Sequence, residues 1–343
     1  MQVLQDVKQR ISRLKSGFSN SIPYTLAKLR DVLPGIEKGF YIIVTASTKV
    51  GKSQLTDFLF VFAPLSLKWL SMQHDNNPTG VKPVGYFKDD FTVDYISLEL
   101  SKLEKEYSII SHFATLKSGK YGDPITIEKL KSIRVELDQD VLTLLEGMSD
   151  FLTFVENRVT IVDDLSTAIQ IMNYIRAQAL KYGKFDEHNR YIPNNPYIYR
   201  IFIIDHLSLM LSDNIHTSIF SSIEALSKFM VSAKKIYGFT FVPIQQQAAQ
   251  AENIQSVQFR NAEPTLDNLA DNKGTARDAN LVLGLYSPMR NRILNHHGLD
   301  VSSLGDNYRS LHILADRNYG QLGSFIRLHF DGSWNNFQTL NTK

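Results

Sequence analysis

The feature that most restricts the fold of this sequence is an alternation of short apolar runs with amphipathic stretches of helical length. The run 40–46 (FYIIVTA) is typical of a strand covered on both faces of a parallel sheet. Six further runs have the same character: 93–98, 158–162, 200–204, 239–244, 281–285 and 311–314. Predicted helices between the runs include 102–116, 166–182 and 218–237. The alternation predicts an α/β fold with a doubly wound, mainly parallel sheet.

Segments outside this alternation complete the prediction. The stretch 324–338 predicts a C-terminal β-hairpin with Asp331-Gly332 as its turn, and 70–92, 184–197 and 250–277 predict long loops. The N-terminal segment predicts an amphipathic helix, broken at Ser16-Gly17, that packs either on its own domain or on a neighbouring subunit. We therefore divide the chain into an arm, 1–18, and one domain, 19–343. The apolar face of the arm comprises Val3, Leu4, Val7, Ile11 and Leu14.

The composition excludes several classes of protein. The chain has no cysteine, so disulfides, thiolate metal sites and cysteine nucleophiles are excluded. The longest apolar run, 58–67, contains Pro64 and is too short to span a membrane, and the N-terminus lacks the apolar core of a signal peptide. We expect a cytoplasmic protein with no membrane partner. A net charge of +2, from 37 basic and 35 acidic residues, neither requires nor excludes nucleic acid.

The run 40–46 leads into a loop with the composition of a phosphate-binding loop, and a helix follows at once. In such a loop the backbone N–H groups face the phosphates, Lys52 meets the β- and γ-phosphates of ATP, and the Ser53 hydroxyl binds Mg²⁺. The general motif begins with Gly, whereas this loop begins with Ala. A chance Gly-Lys-Ser at a helix start is the alternative, but the position between strand and helix favours the ATP site. The loop comprises Ala46, Ser47, Thr48, Lys49, Val50, Gly51, Lys52, Ser53 and Gln54.

Two carboxylates follow predicted strands. Asp205 ends the run 200–204, where it could hold hydrated Mg²⁺, although many strands end in Asp as a turn or cap residue. His206 comes next, so the acid that orients the attacking water has to come from elsewhere. Glu99 follows the run 93–98, which we expect to neighbour the strand 40–46. The alternative for Glu99 is a carboxylate at a helix start before Ser101.

Taken in order, these motifs resemble the ATPase domain of the DnaB-type replicative helicases, over about residues 20–340. The phosphate loop of that family also begins with Ala. Its Ser-Leu-Glu-Met motif is similar to 97–100 (SLEL), and its Ile-Asp-Tyr-Leu-Gln-Leu-Met to 204–210 (IDHLSLM). Its DNA-contacting loop, which ends in Gln-Asp-Ala-Asp, is similar in outline to 271–285. Its Lys-Gln-Arg-Asn-Gly is similar to 315–320 (ADRNYG).

The resemblance implies a RecA-like P-loop NTPase core with ATP and Mg²⁺ as cofactors and a role for several residues. Glu99 would be the catalytic carboxylate, and Arg317 would enter the ATP site of the neighbouring subunit. Gln246 would sense the γ-phosphate, with Gln245 or Gln247 as alternatives. For contact with single-stranded DNA the basic candidates are Lys273 and Arg277, with Arg260 behind them.

The implied function is that of an ATP-dependent DNA helicase, which translocates on single-stranded DNA and unwinds duplex during replication as a homo-oligomeric, hexameric ring. Ala315 stands where the family has a second cationic residue, and His206 where it has an aromatic one. No N-terminal helical domain is seen, so a role in primase docking is not carried over. The alternative is a RecA-like DNA-binding ATPase without unwinding activity, such as a loader, a recombinase-like protein or a switch.

Two further pairs are assigned no catalytic role. His296-His297 has neither a carboxylate nor a third histidine at ligand spacing, which predicts a solvated loop. Asp163-Asp164 follows a strand in a weaker context than Asp205, which favours a turn or a helix cap.

Overall fold

In a computed structural model, which describes residues 2–78, 80–134, 136–248, 263–270 and 273–340, one nine-stranded sheet organises the chain. Its strands are β1 (Ile42–Ala46), β2 (Asp90–Ser97), β3 (Val159–Val162), β6 (Ile198–Asp205), β7 (Thr240–Gln246), β8 (Leu281–Tyr286), β11 (Tyr308–Asp316), β12 (Phe325–Asp331) and β13 (Asn336–Thr339). Six neighbouring strands, in the order β8-β1-β7-β6-β2-β3, run parallel, and β11, β12 and β13 continue the sheet antiparallel beyond β8. Two small hairpins pair β4 (Gly183–Phe185) with β5 (Tyr191–Pro193) and β9 (Asn295–His296) with β10 (Leu299–Asp300).

Helices cover both faces of the parallel strands, which explains why the strand sequences are continuously apolar. The helices are α1 (Gln2–Lys15), α2 (Ala27–Val32), α3 (Lys52–Asn76), α4 (Lys102–Ser118), α5 (Ile127–Leu130), α6 (Gln139–Glu146), α7 (Ser149–Glu156), α8 (Ala168–Tyr182), α9 (Ile219–Tyr237) and α10 (Gly274–Asp278). Val44 packs into one buried cluster and Ile43 into the other, since successive side chains of a strand point to opposite faces. Helices α3, α4 and α7 contribute to the first cluster, and α8 and α9 to the second. Short 3₁₀ turns lie at Leu207–Leu209, Leu266–Asn268, Pro288–Asn291 and Gly305–Asn307.

Helix α3 contains the whole apolar run 58–67 and continues to Asn76. Its middle, Phe58–Phe62, is a π-helical turn, and Pro64 follows this turn without ending the helix. Among the described residues, α3 is the one helix long and apolar enough to cross a membrane by length and composition. Within the domain 72% of its apolar window is buried, as in the core helix of a globular protein.

Several sequence predictions need correction at loops and turns. The predicted loop 70–92 is shorter, because α3 continues to Asn76 and β2 begins at Asp90. The predicted loop 184–197 contains most of the β4–β5 hairpin. Much of the predicted loop 250–277 lies outside the described residues, and its described part includes most of helix α10. The C-terminal hairpin is confirmed, but Asp331 ends β12 and the turn occupies 332–335.

The apolar face of helix α1 is exposed. Its five apolar residues are each at least 43% exposed, so packing of this face on its own domain is not observed. Arg13 connects the end of the helix to the domain, since its guanidinium donates to the Asp89 carboxylate at 2.7 Å. The division of the chain at residues 18 and 19 stays a prediction.

Candidate functional site

The predicted phosphate loop lies between β1 and α3, at the carboxyl edge of the parallel strands. Gly51 has φ 107°, a left-handed conformation that favours glycine, and it directly precedes the first turn of α3. Lys49 also has a positive φ, 59°. The loop therefore bends sharply at the start of a long helix, where backbone N–H groups have no partner within the helix.

Six of the nine predicted loop residues line one cavity of about 470 Å³, here called the loop cavity. Ala46 and Val50 instead bury their side chains in the hydrophobic core, and Ser47 lies at the turn. Lys52 is only 8% exposed, and among the described residues no carboxylate lies within ion-pair distance of its ammonium group. A buried, unpaired cation at a helix start is suited to an anion. The six lining residues are Thr48, Lys49, Gly51, Lys52, Ser53 and Gln54.

The Ser53 hydroxyl donates a hydrogen bond to Asp205 Oδ1 at 2.9 Å, which unites the two residues predicted to hold Mg²⁺. Asp205 is 1% exposed at the end of β6. Burial alone would raise the pKa of Asp205, but the Lys105 ammonium and hydrogen bonds from Tyr95 and Ser53 lower it below its ordinary value. The result is an ionised carboxylate beside a hydroxyl. Both are oxygen ligands of the kind that Mg²⁺ prefers.

Glu99 lines the loop cavity, but the prediction that its strand neighbours the strand 40–46 is wrong. Strand β2 does not pair with β1, because β7 and β6 lie between them. Glu99 reaches the cavity because the carboxyl ends of all the parallel strands meet at one edge. Its Oε2 lies 3.8 Å from Nε2 of His206. The helix-start role falls to Glu104, which forms a capping box with Ser101, and so Glu99 is not the cap.

Of the three consecutive glutamines, only Gln246 faces the loop cavity. Its Nε2 donates to Oγ1 of Thr48 in the phosphate loop. Gln245 and Gln247 are buried and point to the other side of the strand, as the alternation of a strand requires. Gln245 accepts a hydrogen bond from Thr275 Oγ1 at 2.6 Å. The geometry thus favours Gln246 among the three residues as the one closest to a bound phosphate.

A buried ionic cluster beside the loop cavity was not predicted from the sequence. Lys105 Nζ lies 3.2 Å from Asp57 and from Asp205, and the Tyr95 hydroxyl donates to Asp205 at 2.7 Å. Burial and the charge of Asp205 raise the pKa of Asp57, even though Lys105 lies beside it. Asp205 is therefore the main anion that Lys105 compensates. The available signal was weak: Asp57 follows Ser53 by one helical turn, and Lys105 shares the buried face of α4 with Ile109 and His112.

Two arginines hold the backbone of the phosphate loop, and neither was singled out in the sequence. Arg309, 2% exposed on β11, donates from Nε to the Val50 carbonyl at 2.8 Å. Arg290 donates to the Thr48 carbonyl at 2.7 Å. Both residues are distant from the loop in sequence, so no local pattern connects them with it.

The predicted DNA-contacting residues lie apart from the loop cavity. Lys273 and Arg277 line a second cavity of about 650 Å³ together with Phe220 and Glu224, and this cavity shares no lining residue with the loop cavity. Both basic side chains are exposed. Arg260 lies outside the described residues.

Arg317 lies near the amino ends of the parallel strands, whereas the phosphate loop lies at their carboxyl ends. Its backbone N–H donates to the Asn280 carbonyl at 3.0 Å, and the preceding Asp316 pairs with Leu281. Leu281 in turn pairs with Ile42 at the amino end of β1. The phosphate loop begins at the other end of that strand, roughly 13 Å away at about 3.3 Å per residue. Arg317 is exposed and does not line the loop cavity of its own chain.

The two pairs assigned no catalytic role have different outcomes. Asp163 accepts a hydrogen bond from the Lys102 backbone N–H at 2.6 Å and so satisfies one N–H group at the start of α4, but the N-cap residue of that helix is Ser101, and Thr167 caps α8. The solvated loop predicted for His296 and His297 is wrong for His296, whereas His297 is exposed. His296 is 3% exposed and both rings contact Glu263, a residue that lies far from them in sequence.

Comparison with known proteins gives the fold. No family model and no curated protein matches the sequence. The chain is similar to a solved ATPase domain, with a TM-score of 0.67 and 19% identity over 99% of this chain and 98% of that one. It is also similar to a DnaB-like replicative helicase that was studied with regard to its interactions with primase, with a TM-score of 0.64, 20% identity, and coverage of 99% of this chain and 66% of that one. The chain therefore has a RecA-like α/β core like that of DnaB-type helicase ATPase domains.

Proposed function

We propose that this protein is a Mg²⁺-dependent ATPase that moves along single-stranded DNA and unwinds duplex DNA as a hexameric ring. One observation carries the proposal. The buried cation Lys52, the Ser53 hydroxyl, the carboxylate Glu99 and the amide Gln246 line the loop cavity, and Asp205 lies behind Ser53 as its hydrogen-bond partner. These are the groups that phosphoryl transfer from ATP to water needs.

Each of these residues has a distinct chemical role in the proposal. Lys52 and the backbone N–H groups of the loop bind the β- and γ-phosphates, and Ser53 and Asp205 would hold Mg²⁺. The metal, when bound, neutralises charge on the phosphates. Glu99 orients the attacking water and accepts its proton. The half-exposed position of Glu99 at the cavity wall suits this task, because the water must enter from solvent.

Hydrolysis also requires a cation that stabilises the charge of the transition state. The position of Arg317, across the sheet from the loop cavity of its own chain, supports a role in the cavity of a neighbouring subunit. A site shared in this way requires a ring or a filament. The exposed apolar face of α1 offers a contact between subunits that would hold such an assembly together.

Contact with DNA would come from the exposed Lys273 and Arg277, whose charges can neutralise phosphates. A chain of hydrogen bonds supports coupling between these residues and the loop cavity. The backbone N–H of Ala270 donates to the Gln246 carbonyl at 2.8 Å, and Thr275, next to the basic pair, donates to Gln245. A shift of Gln246 on loss of the γ-phosphate would therefore move the segment that carries both cations.

A second function has one observation in its favour. Ala315, at the end of β11, occupies the place of the second cationic residue in the helicase family. Weaker coupling between subunits would suit a RecA-like DNA-binding ATPase that does not unwind, such as a loader, a recombinase-like protein or a switch.

A strand-displacement assay distinguishes the two functions. We expect the wild-type protein to release a labelled strand from a forked duplex only with ATP and Mg²⁺, and the Lys52→Ala variant to release none. DNA-stimulated ATP hydrolysis without strand release, on forks with either a 5′ or a 3′ tail, would favour the second function.

A further inference from the structure

Three histidines and one carboxylate meet in a cluster that the proposed ATPase does not use. Glu263 Oε1 lies 3.0 Å from His296 Nε2 and 2.7 Å from His297 Nε2, and Glu263 Oε2 lies 3.8 Å from His312 Nδ1. One ligand atom each from Glu263, His296 and His312 all lie within 4.8 Å of one another. The four residues come from the segment before the 3₁₀ turn Leu266–Asn268, from the β9–β10 hairpin and from β11. The cluster is therefore formed only by the folded chain.

The surroundings of the two buried histidines orient their rings. His296 Nδ1 lies 3.0 Å from the Tyr308 hydroxyl, and His312 Nε2 lies 2.9 Å from Ser310 Oγ. In each ring one nitrogen is held by a hydroxyl while the other faces Glu263. Histidine ligands of metals are held in this way, with an outer partner fixing the ring. The exposed fractions of His296 and His312, 3% and 8%, show that the inner side of the cluster is dry.

Packing adds to the geometry. The ring of Phe325 stacks on His297, with centroids 4.5 Å apart, and on His312 at 5.6 Å. A neighbouring cation, Arg327, donates to the His297 carbonyl at 2.9 Å.

We propose that this cluster binds one divalent transition-metal ion of the zinc class, with Glu263, His296 and His312 as ligands and His297 as the fourth. Imidazole nitrogen and carboxylate oxygen are the ligands that such ions take in proteins that lack cysteine. Donor atoms at about 2.0–2.1 Å from a tetrahedral zinc ion lie roughly 3.3 Å apart. The contacts of Glu263 with the three histidines, at 2.7, 3.0 and 3.8 Å, bracket this spacing. The ligand atoms of Glu263, His296 and His312 lie within 4.8 Å of one another, so the three side chains would move closer together around an ion and His297 would move towards them.

The position of the site indicates what the ion would do. Gln247, beside the phosphate-facing Gln246, donates from Nε2 to the Thr265 carbonyl at 3.3 Å, two residues after Glu263. An ion bound here would fasten the start of the segment 263–270 to β11, and the same segment leads towards Lys273. The ion would thus have a structural role, because it would stabilise the segment between β7, which carries Gln246, and the basic residues Lys273 and Arg277. This inference stands whether or not the protein unwinds DNA.

The test is a Zn²⁺ titration of the full chain, prepared without an affinity tag and stripped with a chelator. Calorimetry and elemental analysis should give one tight Zn²⁺ site per chain. Thermal unfolding should move to higher temperature with Zn²⁺. Co²⁺ in place of Zn²⁺ should give the strong visible absorption of a four-coordinate ion. Wild-type protein that binds no Zn²⁺, or binds Co²⁺ with the weak spectrum of a six-coordinate ion, would overturn the proposal and leave only a hydrogen-bonded cluster.

Variants assign the ion to this cluster. Glu263→Gln and the half-exposed His297→Ala should still fold, as circular dichroism would verify. Glu263→Gln should weaken Zn²⁺ binding by more than the roughly 10–100-fold that loss of an outer-shell partner causes, and His297→Ala should weaken it measurably. The matched control His188→Ala, an exposed histidine next to an acidic residue, should bind like wild type. If Asp205→Asn loses the ion and Glu263→Gln keeps it, the ion is bound in the loop cavity and the proposal fails.

Discussion

Ser53 donates a hydrogen bond to Asp205 at 2.9 Å, although one residue lies at the start of α3 and the other ends β6. The contact joins the phosphate loop to the second acidic strand at the edge where the parallel strands end. The proposed Mg²⁺ site depends on this contact, because it places the ligand at the end of β6 beside the ligand of the phosphate loop.

Lys52→Ala should abolish ATP turnover and weaken nucleotide binding. Lys52 is the buried cation at the start of α3, and the other buried lysine of the loop cavity, Lys105, is already paired with Asp57 and Asp205. Steady-state ATPase rates and binding of a fluorescent nucleotide measure the two effects. Lys49→Ala, in the same loop but with an exposed side chain, is the matched control and should retain most of the activity. Near-normal hydrolysis by Lys52→Ala would end the phosphate-loop assignment.

Glu99→Gln should bind ATP normally and stall hydrolysis, because the amide keeps the shape of the side chain but loses the charge that activates water. A fall in the single-turnover rate of roughly 10²–10⁴-fold is expected for loss of a general base. Asp164→Asn is the control, since Asp164 is exposed and lies outside the loop cavity. If the control stalls and Glu99→Gln does not, Asp164 rather than Glu99 is the carboxylate that activates water.

Lys105→Met should destabilise the protein, because it leaves Asp57 and Asp205 buried without their cation. Breaking a buried ion pair from one side costs about 3–5 kcal/mol. Mg²⁺ should then raise the unfolding temperature of the variant more than that of the wild type, since the ion supplies the missing positive charge. Lys102→Met removes an exposed ion pair of the same helix and should cost at most about 1 kcal/mol. If Mg²⁺ raises the unfolding temperature of Lys105→Met and of the wild type by the same amount, the metal does not bind at Asp205.

The fold could be predicted from the sequence to the extent that it depends on local patterns. Continuous apolar runs such as 40–46 identified the strands of the parallel sheet, and the Gly-Lys-Ser between a strand and a helix identified the phosphate loop. The order of the strands could not be predicted, because pairing depends on contacts between distant segments. Strand β2 was therefore expected beside β1, whereas β6 and β7 separate them.

In the candidate site, too, only the residues marked by a local pattern could be predicted from the sequence. Asp205 and Glu99 each follow a strand, and that local context was sufficient to select them. Lys105 looks like any helical lysine in the sequence, and only packing of α4 against the sheet reveals that it is buried. His312 and Glu263 are distant from His296 in sequence, so their cluster arises only when β11 and the β9–β10 hairpin fold together.

Arg317→Ala should leave each subunit folded and able to bind ATP, while turnover falls by roughly 10³-fold or more, as expected for loss of an arginine finger. Mixing this variant with Lys52→Ala should restore activity at the interfaces that combine an intact Lys52 with an intact Arg317. Recovery requires exchange of subunits, so native mass spectrometry of the mixture must accompany the ATPase assay. Well-mixed rings with no recovered turnover would contradict a site shared between subunits.

The most direct test of the account is the ATPase rate of the wild-type protein with Mg²⁺, measured with and without single-stranded DNA. The hydrogen bonds of Gln246 with Ala270 and of Gln245 with Thr275, on the two sides of Lys273, predict a rate that rises on DNA binding. The increase should disappear in a Lys273→Ala, Arg277→Ala double variant whose rate without DNA is unchanged. A protein that hydrolyses no ATP under either condition, or whose ATPase rate does not change with DNA, would contradict the proposed function.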